Sequence, residues 1–229
     1  MPSLLPHIDP DGLLEYSVVF TDRSLNSMSV SFQTVMTDIS ALLKDAYKAA
    51  AVAVIPGGGT FGMESIARQF ANDQHVMIIR NGWFSYRWSE ILEKGKIASS
   101  TTVMMARRED TNSSNHMAPF TPVPVDEVVA TIRDEKPAVV FAPHVETSAG
   151  MILPDDYIRA VSDAVHEVGG IFVLDCVASG ALWVDMPALG VDVLLSAPQK
   201  GWSASPCAGL VMLSERGRAA VAATESSSY

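Results

Sequence analysis

From about residue 50 onward, short apolar runs alternate with longer stretches of helical period, and this constrains the fold more than any other feature of the chain. An apolar strand without polar alternation needs cover on both faces, and intervening helices supply it. The pattern therefore implies βαβ units and an α/β fold with a mainly parallel sheet sandwiched by helices. A helix is expected over 35–50, a strand over 51–55, a glycine-rich turn, a helix over 60–71, a strand over 75–79 and a helix near 86–93. A polar, proline-rich loop over 111–124 follows, then a helix from Asp126 as N-cap to about 134 and a strand over 138–142. Pro154 sits in the first turn of the next helix, which Gly169 and Gly170 end. Further strands fall at 171–174, 193–195 and 209–213, with Ser214 capping a last helix.

A chain of 229 residues can bury roughly 70 to 75% of the surface its unfolded form exposes, so its core needs no metal or disulfide staple. Subtracting 26 Asp and Glu from 16 Lys and Arg leaves a net charge of -10, with no dense basic cluster. Nucleic acid is not an expected partner of such a surface. Cys176 and Cys207 each lie in an apolar stretch without CxxC or Cys/His spacing, so neither a metal site nor a disulfide framework is expected. The N-terminus lacks a basic leader and the longest apolar runs are too short to cross a bilayer. A cytoplasmic protein without a membrane partner is the expectation.

Four places carry residue types suited to chemistry. Gly57, Gly58, Gly59 and Thr60 stand between a strand and a helix, where backbone N–H groups and the positive helix end favour an anion such as phosphate. The same residues also suit a plain tight turn. Gly57, Gly59 and Gly62 match GxGxxG, and Arg80 after the next strand could meet a ribose 2'-phosphate, the pattern of an NADP-binding oxidoreductase. Asp175 ends an apolar strand, at the edge where open α/β sheets bind ligands, although an aspartate there can also cap a turn. Lys200 follows another short strand among small and apolar residues, where an amine is expected to titrate low enough to form an imine; a lysine reaching to solvent is the alternative. Trp83, Phe84, Tyr86 and Trp88 cluster after the second strand, and at best one of these rings would stack on a flat heterocycle.

Five motifs occur in order over about residues 52–215: Gly58-Gly59-Thr60, Asn81-Gly82-x-Phe84-x-x-Arg87, His144-x-Glu146-Thr147-Ser148-x-Gly150, Leu174-Asp175-x-Val177-Ala178-Ser179 and Ser196-x-x-Gln199-Lys200-Gly201. In order and approximate spacing the chain resembles the large domain of fold-type I pyridoxal-phosphate enzymes of the class V aminotransferase family, which contains the alanine:glyoxylate and serine:pyruvate aminotransferases. The resemblance implies pyridoxal 5'-phosphate as cofactor. Gly58, Gly59 and Thr60 would hold its phosphate, with Gln199 nearby, Phe84 stacked on the ring in preference to Trp83, and Val177 on the opposite face. Thr147 would bond the phenolic oxygen, Asp175 would pair with the pyridinium nitrogen, and Lys200 would form the Schiff base and later move a proton.

The implied reaction is transamination from a small amino acid, alanine or serine, to a 2-oxo acid, glyoxylate or pyruvate, in a homodimer. The alternatives are a lyase or cysteine desulfurase, although neither cysteine suits a desulfurase nucleophile, and a pyridoxal-phosphate-binding domain without turnover. Residues 1–34 are expected to form an N-terminal segment and 35–229 the large domain. The chain departs from the family at the N-terminus, where Asp9-Pro10-Asp11-Gly12 and Arg23-Ser24-Leu25-Asn26 replace a Gly-Pro-rich entry and a His-Arg element. Family members also continue into a small C-terminal domain bearing the arginine that grips the substrate carboxylate, and this chain is expected to be the large domain without it.

Overall fold

The computed structural model describes residues 27–108 and 118–224. The unusual N-terminal segments and much of the loop expected over 111–124 lie outside them. The chain divides into two compact units, Met1–Leu42 and Leu43–Tyr229. The first contributes the opening turns of α1 (Val30–Tyr47), where the Ser29 hydroxyl accepts the Phe32 N–H at 3.2 Å. α1 thus begins before the expected position 35 and stops before 50, where Lys48 turns into the left-handed region at φ 55°.

In chain order the second unit contains β1 (Ala51–Pro56), α2 (Gly59–Phe70), β2 (His75–Arg80), α3 (Trp83–Gly95), β3 (Ser100–Met105) and α4 (Val125–Glu135). There follow β4 (Val139–Pro143), α5 (Asp155–Glu167), β5 (Ile171–Asp175), α6 (Met186–Leu189), β6 (Val193–Ser196), β7 (Ala208–Leu213) and α7 (Glu215–Ala223). The strands form a seven-stranded sheet in the order β1-β7-β6-β5-β4-β2-β3. From β6 to β3 every neighbouring pair is parallel, and only β7 runs against its neighbours β1 and β6.

Both faces of the central strands are dry. On one, Val76 and Ile78, Val139 and Phe141, Val173, and Val193 and Leu195 pack with Met63, Ile66 and Ala67 of α2 and Trp88 and Leu92 of α3. The alternate strand residues Met77, Ile79, Val140, Phe172 and Leu174 are buried on the other. α5 sequesters Ile158, Val161, Ala164 and Val165. Burying each such side chain contributes about 1.5 to 3 kcal/mol, which explains why these strands read as unbroken apolar runs.

Three expectations need correction. β3 was not foreseen: its first residues are serine and threonine, and as an edge strand it leaves that half exposed, so no apolar run betrays it. Asp126 does not cap α4. Pro124 is the N-cap, and Asp126 and Glu127 lie in the first turn, where their charge favours the positive helix end. α3 starts at Trp83, so the aromatic cluster belongs to the helix rather than to a loop before it.

The consequence for function is geometric. β4, β5 and β6 are in register, so Pro143, Asp175 and Leu195 lie side by side where the parallel strands end. The loops that leave this edge enclose the site.

Candidate active site

A cavity of about 250 Å³ opens at that edge, lined by residues of every motif singled out in the sequence. Its floor begins with the turn from β1 into α2. Gly57 adopts φ +120°, a conformation that side chains rarely tolerate, and its N–H is held by the Cys207 carbonyl at 3.0 Å. Gly58 is the N-cap of α2, directly behind Gly59 and Thr60, which line the cavity with the free N–H end of the helix. Gly62 lies a turn further on, against Leu195 and Gly209 of the sheet.

α3 supplies one wall. Phe84 lines the cavity, whereas Trp83 is 68% exposed and lines a separate surface groove, which separates the two candidate rings. The amino end of α3 is closed by the segment after β4. The Trp83 N–H donates to the Ser148 hydroxyl at 2.8 Å, and the Phe84 and Ser85 N–H groups donate to the Glu146 carboxylate at 3.1 and 2.9 Å. Ser85 and Ser148 also donate their hydroxyls to Glu146, at 2.7 and 2.6 Å. Burial alone would raise the Glu146 pKa, but the Ser148 and Ser85 hydroxyls with the Ser85 and Phe84 N–H groups outweigh it, holding the carboxyl below its ordinary range. Thr147, between these residues on a single 3₁₀ turn, faces the cavity.

Asp175 ends β5 and lines the cavity from below, with one oxygen accepting the Val177 N–H at 3.0 Å. Burial pushes its pKa up to about 6; the Val177 N–H, the nearby Trp88 indole and the Arg87 charge pull it down, and the Glu146 charge adds to the rise. Unpartnered, this carboxylate is costly, and a cation in the cavity would relieve the cost. Val177 stands across from Gly59, so that a Cβ at Gly59 would come within 3.3 Å of its methyl.

Gln199 and Lys200 reach the cavity from the loop after β6. Both are exposed, so Lys200 does not sit in the apolar surroundings that its sequence neighbours suggest: Ala197 and Pro198 turn into the protein while the next two residues turn out. The loop is clamped. Gly201 packs on the Gly180 carbonyl so closely that a Cβ would lie 1.9 Å from its oxygen, and Trp202 packs on Trp183 with centroids 4.5 Å apart.

Arg80, the residue offered for a ribose phosphate, is elsewhere. It stacks over Tyr86 at 5.1 Å and reaches Ser89 and Met105, outside the cavity that Gly59 and Thr60 line. The dinucleotide pattern therefore lacks its partner. Sequence reasoning left Arg87 and Glu146 without roles; the three-residue spacing of Phe84 and Arg87 on a helix, which puts both on one face, was the available signal.

No family model matches the chain. It is 31% identical over 194 residues to a 2-aminoethylphosphonate–pyruvate transaminase of Paraburkholderia phymatum, a match spanning 84% of this chain and 47% of that protein. The chain spans about half the length of the curated relatives it matches. Among solved structures it is similar to ureidoglycine–glyoxylate aminotransferase from Bacillus subtilis, with a TM-score of 0.73 and 20% identity over 88% of this chain and 49% of that one. It is also similar to alanine–glyoxylate aminotransferase from Nostoc sp., with a TM-score of 0.72 and 23% identity over 87% and 50% of the two chains. At these identities the structures establish the fold, a fold-type I transferase large domain of which this chain is part. In fold, ordered motifs and curated relatives alike, the chain is similar to the class V pyridoxal-phosphate-dependent aminotransferases.

Proposed function

We propose that the chain is the cofactor-binding part of a transaminase that uses pyridoxal 5'-phosphate to pass an amino group from a small primary amine to a 2-oxo acid. The observation that carries this reading is the meeting, in one cavity, of a glycine-lined helix N-terminus, the half-buried Asp175 carboxylate and the accessible Lys200 amine. These residues fit the cofactor. Gly59 leaves open a cradle that a side chain would fill against Val177, and Asp175 is a partly buried acid whose raised pKa a cationic neighbour would offset.

In this reading Gly58, Gly59 and Thr60 hold the phosphate at the α2 N-terminus, with Gln199 beside them. Phe84 and Val177 cover the two ring faces and Thr147 bonds the phenolic oxygen. Asp175 keeps the ring nitrogen protonated, since a carboxylate within a few ångströms raises such a pKa by about 1 to 3 units. Bound there, pyridoxal phosphate supplies an electron sink for Cα chemistry. Lys200 tethers it and, once released, moves the Cα proton.

The acceptor we propose is pyruvate or glyoxylate. The curated relatives are named for 2-aminoethylphosphonate and pyruvate, while the family resemblance implies alanine or serine, so the donor panel should hold all three amines. A homodimer, with 1–34 as a segment preceding a large domain over 35–229, completes the proposal. The test is reduction with borohydride in the presence of pyridoxal phosphate, followed by peptide mapping: a pyridoxyl label on Lys200 is expected, and a label spread over surface lysines would overturn the reading. Spectral conversion by one donor and recovery by pyruvate would establish turnover. Retained cofactor with no response to any donor would instead support the binding domain without turnover.

A further inference from the structure

Arg87 lines the same cavity, half-buried, from the first turns of α3. Its Nη1 donates to the Thr60 hydroxyl at 3.1 Å, and its guanidinium lies 6.0 Å from the centre of the Phe84 ring. Among the described residues no carboxylate comes within 4.0 Å of it, although the other arginines lining the surface near acidic residues, such as Arg107 and Arg133, are paired. Lys200 is the other cation lining the cavity, and its amine is committed to the cofactor's aldehyde in the proposed function.

Two consequences follow from that geometry. A hydroxyl has one proton to give, and when a guanidinium fills its acceptor side, that proton is free to point away from the arginine. Thr60 stands at the α2 N-terminus, so the direction left open is toward whatever anion the helix end receives. Second, the helix end supplies only about half a unit of positive charge, whereas a phosphate monoester carries close to two negative ones. A fixed, unpaired guanidinium next to the cradle makes up much of that difference.

We propose that Arg87 is a positioning and charge-balancing residue of the phosphate cradle, orienting the Thr60 hydroxyl as a donor and making the site selective for the phosphorylated cofactor over its unphosphorylated aldehyde. The inference rests on the proposed function and adds to it a residue with a defined task. Its direct task is the phosphate; any effect on the ring is indirect, through the charge it sets near Asp175 and its place beside Phe84.

The test compares pyridoxal phosphate and pyridoxal as ligands of the chain freed of cofactor, by tryptophan-fluorescence titration, with inorganic phosphate as competitor. R87Q should weaken pyridoxal phosphate binding about 10- to 100-fold, the loss of one hydrogen bond to a charged group. Pyridoxal binding should change far less than pyridoxal phosphate binding, and inorganic phosphate should compete much more weakly. R87K, keeping the charge without the planar fork, should fall between. Equal losses for both ligands, or no loss for either, would overturn the proposal, the first by showing a purely structural role. If R87Q does not fold by circular dichroism, R87K carries the comparison on the same criteria. Failure of the unsubstituted chain to bind pyridoxal phosphate at all would overturn the proposed function itself, and this inference with it.

Discussion

The carboxylate of Glu146 accepts the backbone N–H of Ser85 at 2.9 Å and its hydroxyl at 2.7 Å, joining residues sixty-one positions apart in the chain. A buried acid thereby serves as the cap of α3, and the same bonds fix Thr147 and Phe84 on facing walls of one cavity. E146A leaves these donors without a partner inside the protein. Urea unfolding should show a loss of about 2 to 4 kcal/mol, with E146Q losing less because it keeps an acceptor. The folded pKa is depressed, so the stabilisation is present above the ordinary glutamate value and is lost as pH falls through the folded one. Parent and E146Q melting curves should therefore converge on acidification below about pH 4. A gap that is independent of pH would count against the charge.

Asp175 has the opposite sign. Its pKa is raised from 3.8 to about 6 in the folded protein, so folding is penalised once the carboxyl ionises. The penalty is absent below the unfolded value, grows as pH rises between 3.8 and about 6, and is complete above that. D175N should stabilise the cofactor-free chain by at most about 3 kcal/mol at pH 8 and leave it unaltered at pH 3.5, while weakening retention of the protonated cofactor ring. A variant that is less stable than the parent at pH 8 would show that Asp175 is already paired.

Gly201 tests the clamp on the Lys200 loop. G201A places a methyl against the Gly180 carbonyl, and overpacking of this kind costs about 1 to 3 kcal/mol. Because the strain is confined to two loops, the expected result is a modest fall in melting temperature with a large fall in borohydride labelling of Lys200. Undiminished labelling would mean that the loop relaxes without moving the amine.

The two cysteines should respond differently to a thiol reagent. Cys207 is exposed, whereas Cys176 is buried and its thiol pKa is pushed up by that burial. One equivalent should react in the native chain and the second only on unfolding. Neither thiol lines the cavity, which weighs against the desulfurase alternative. Fast reaction at Cys176 would reopen it.

How much of this was legible beforehand varied with the kind of signal. The strands at the centre of the sheet could be read because burial on both faces demands unbroken apolar runs, as in Val139–Pro143 and Ile171–Asp175. The edge strand Ser100–Met105 could not, since half of it meets water. Of the candidate residues named from the sequence, Gly59, Thr60, Phe84, Thr147, Asp175, Val177, Gln199 and Lys200 line one cavity, and Gly58 stands behind them as the α2 N-cap. The surroundings of Lys200 were misjudged, because apolar neighbours in sequence need not be neighbours in space.

The order of residues alone determined which segments become buried strands, which turn carries glycine, which acid ends a strand and which amine follows one. Those outcomes depend on local conformational preference and on hydrophobic period, both written in a few consecutive positions. Only the tertiary structure decided that Glu146 closes α3 and that Arg87 meets Thr60. These contacts join segments far apart in the chain, and their geometry exists only once sheet register and helix packing have set the distances between them.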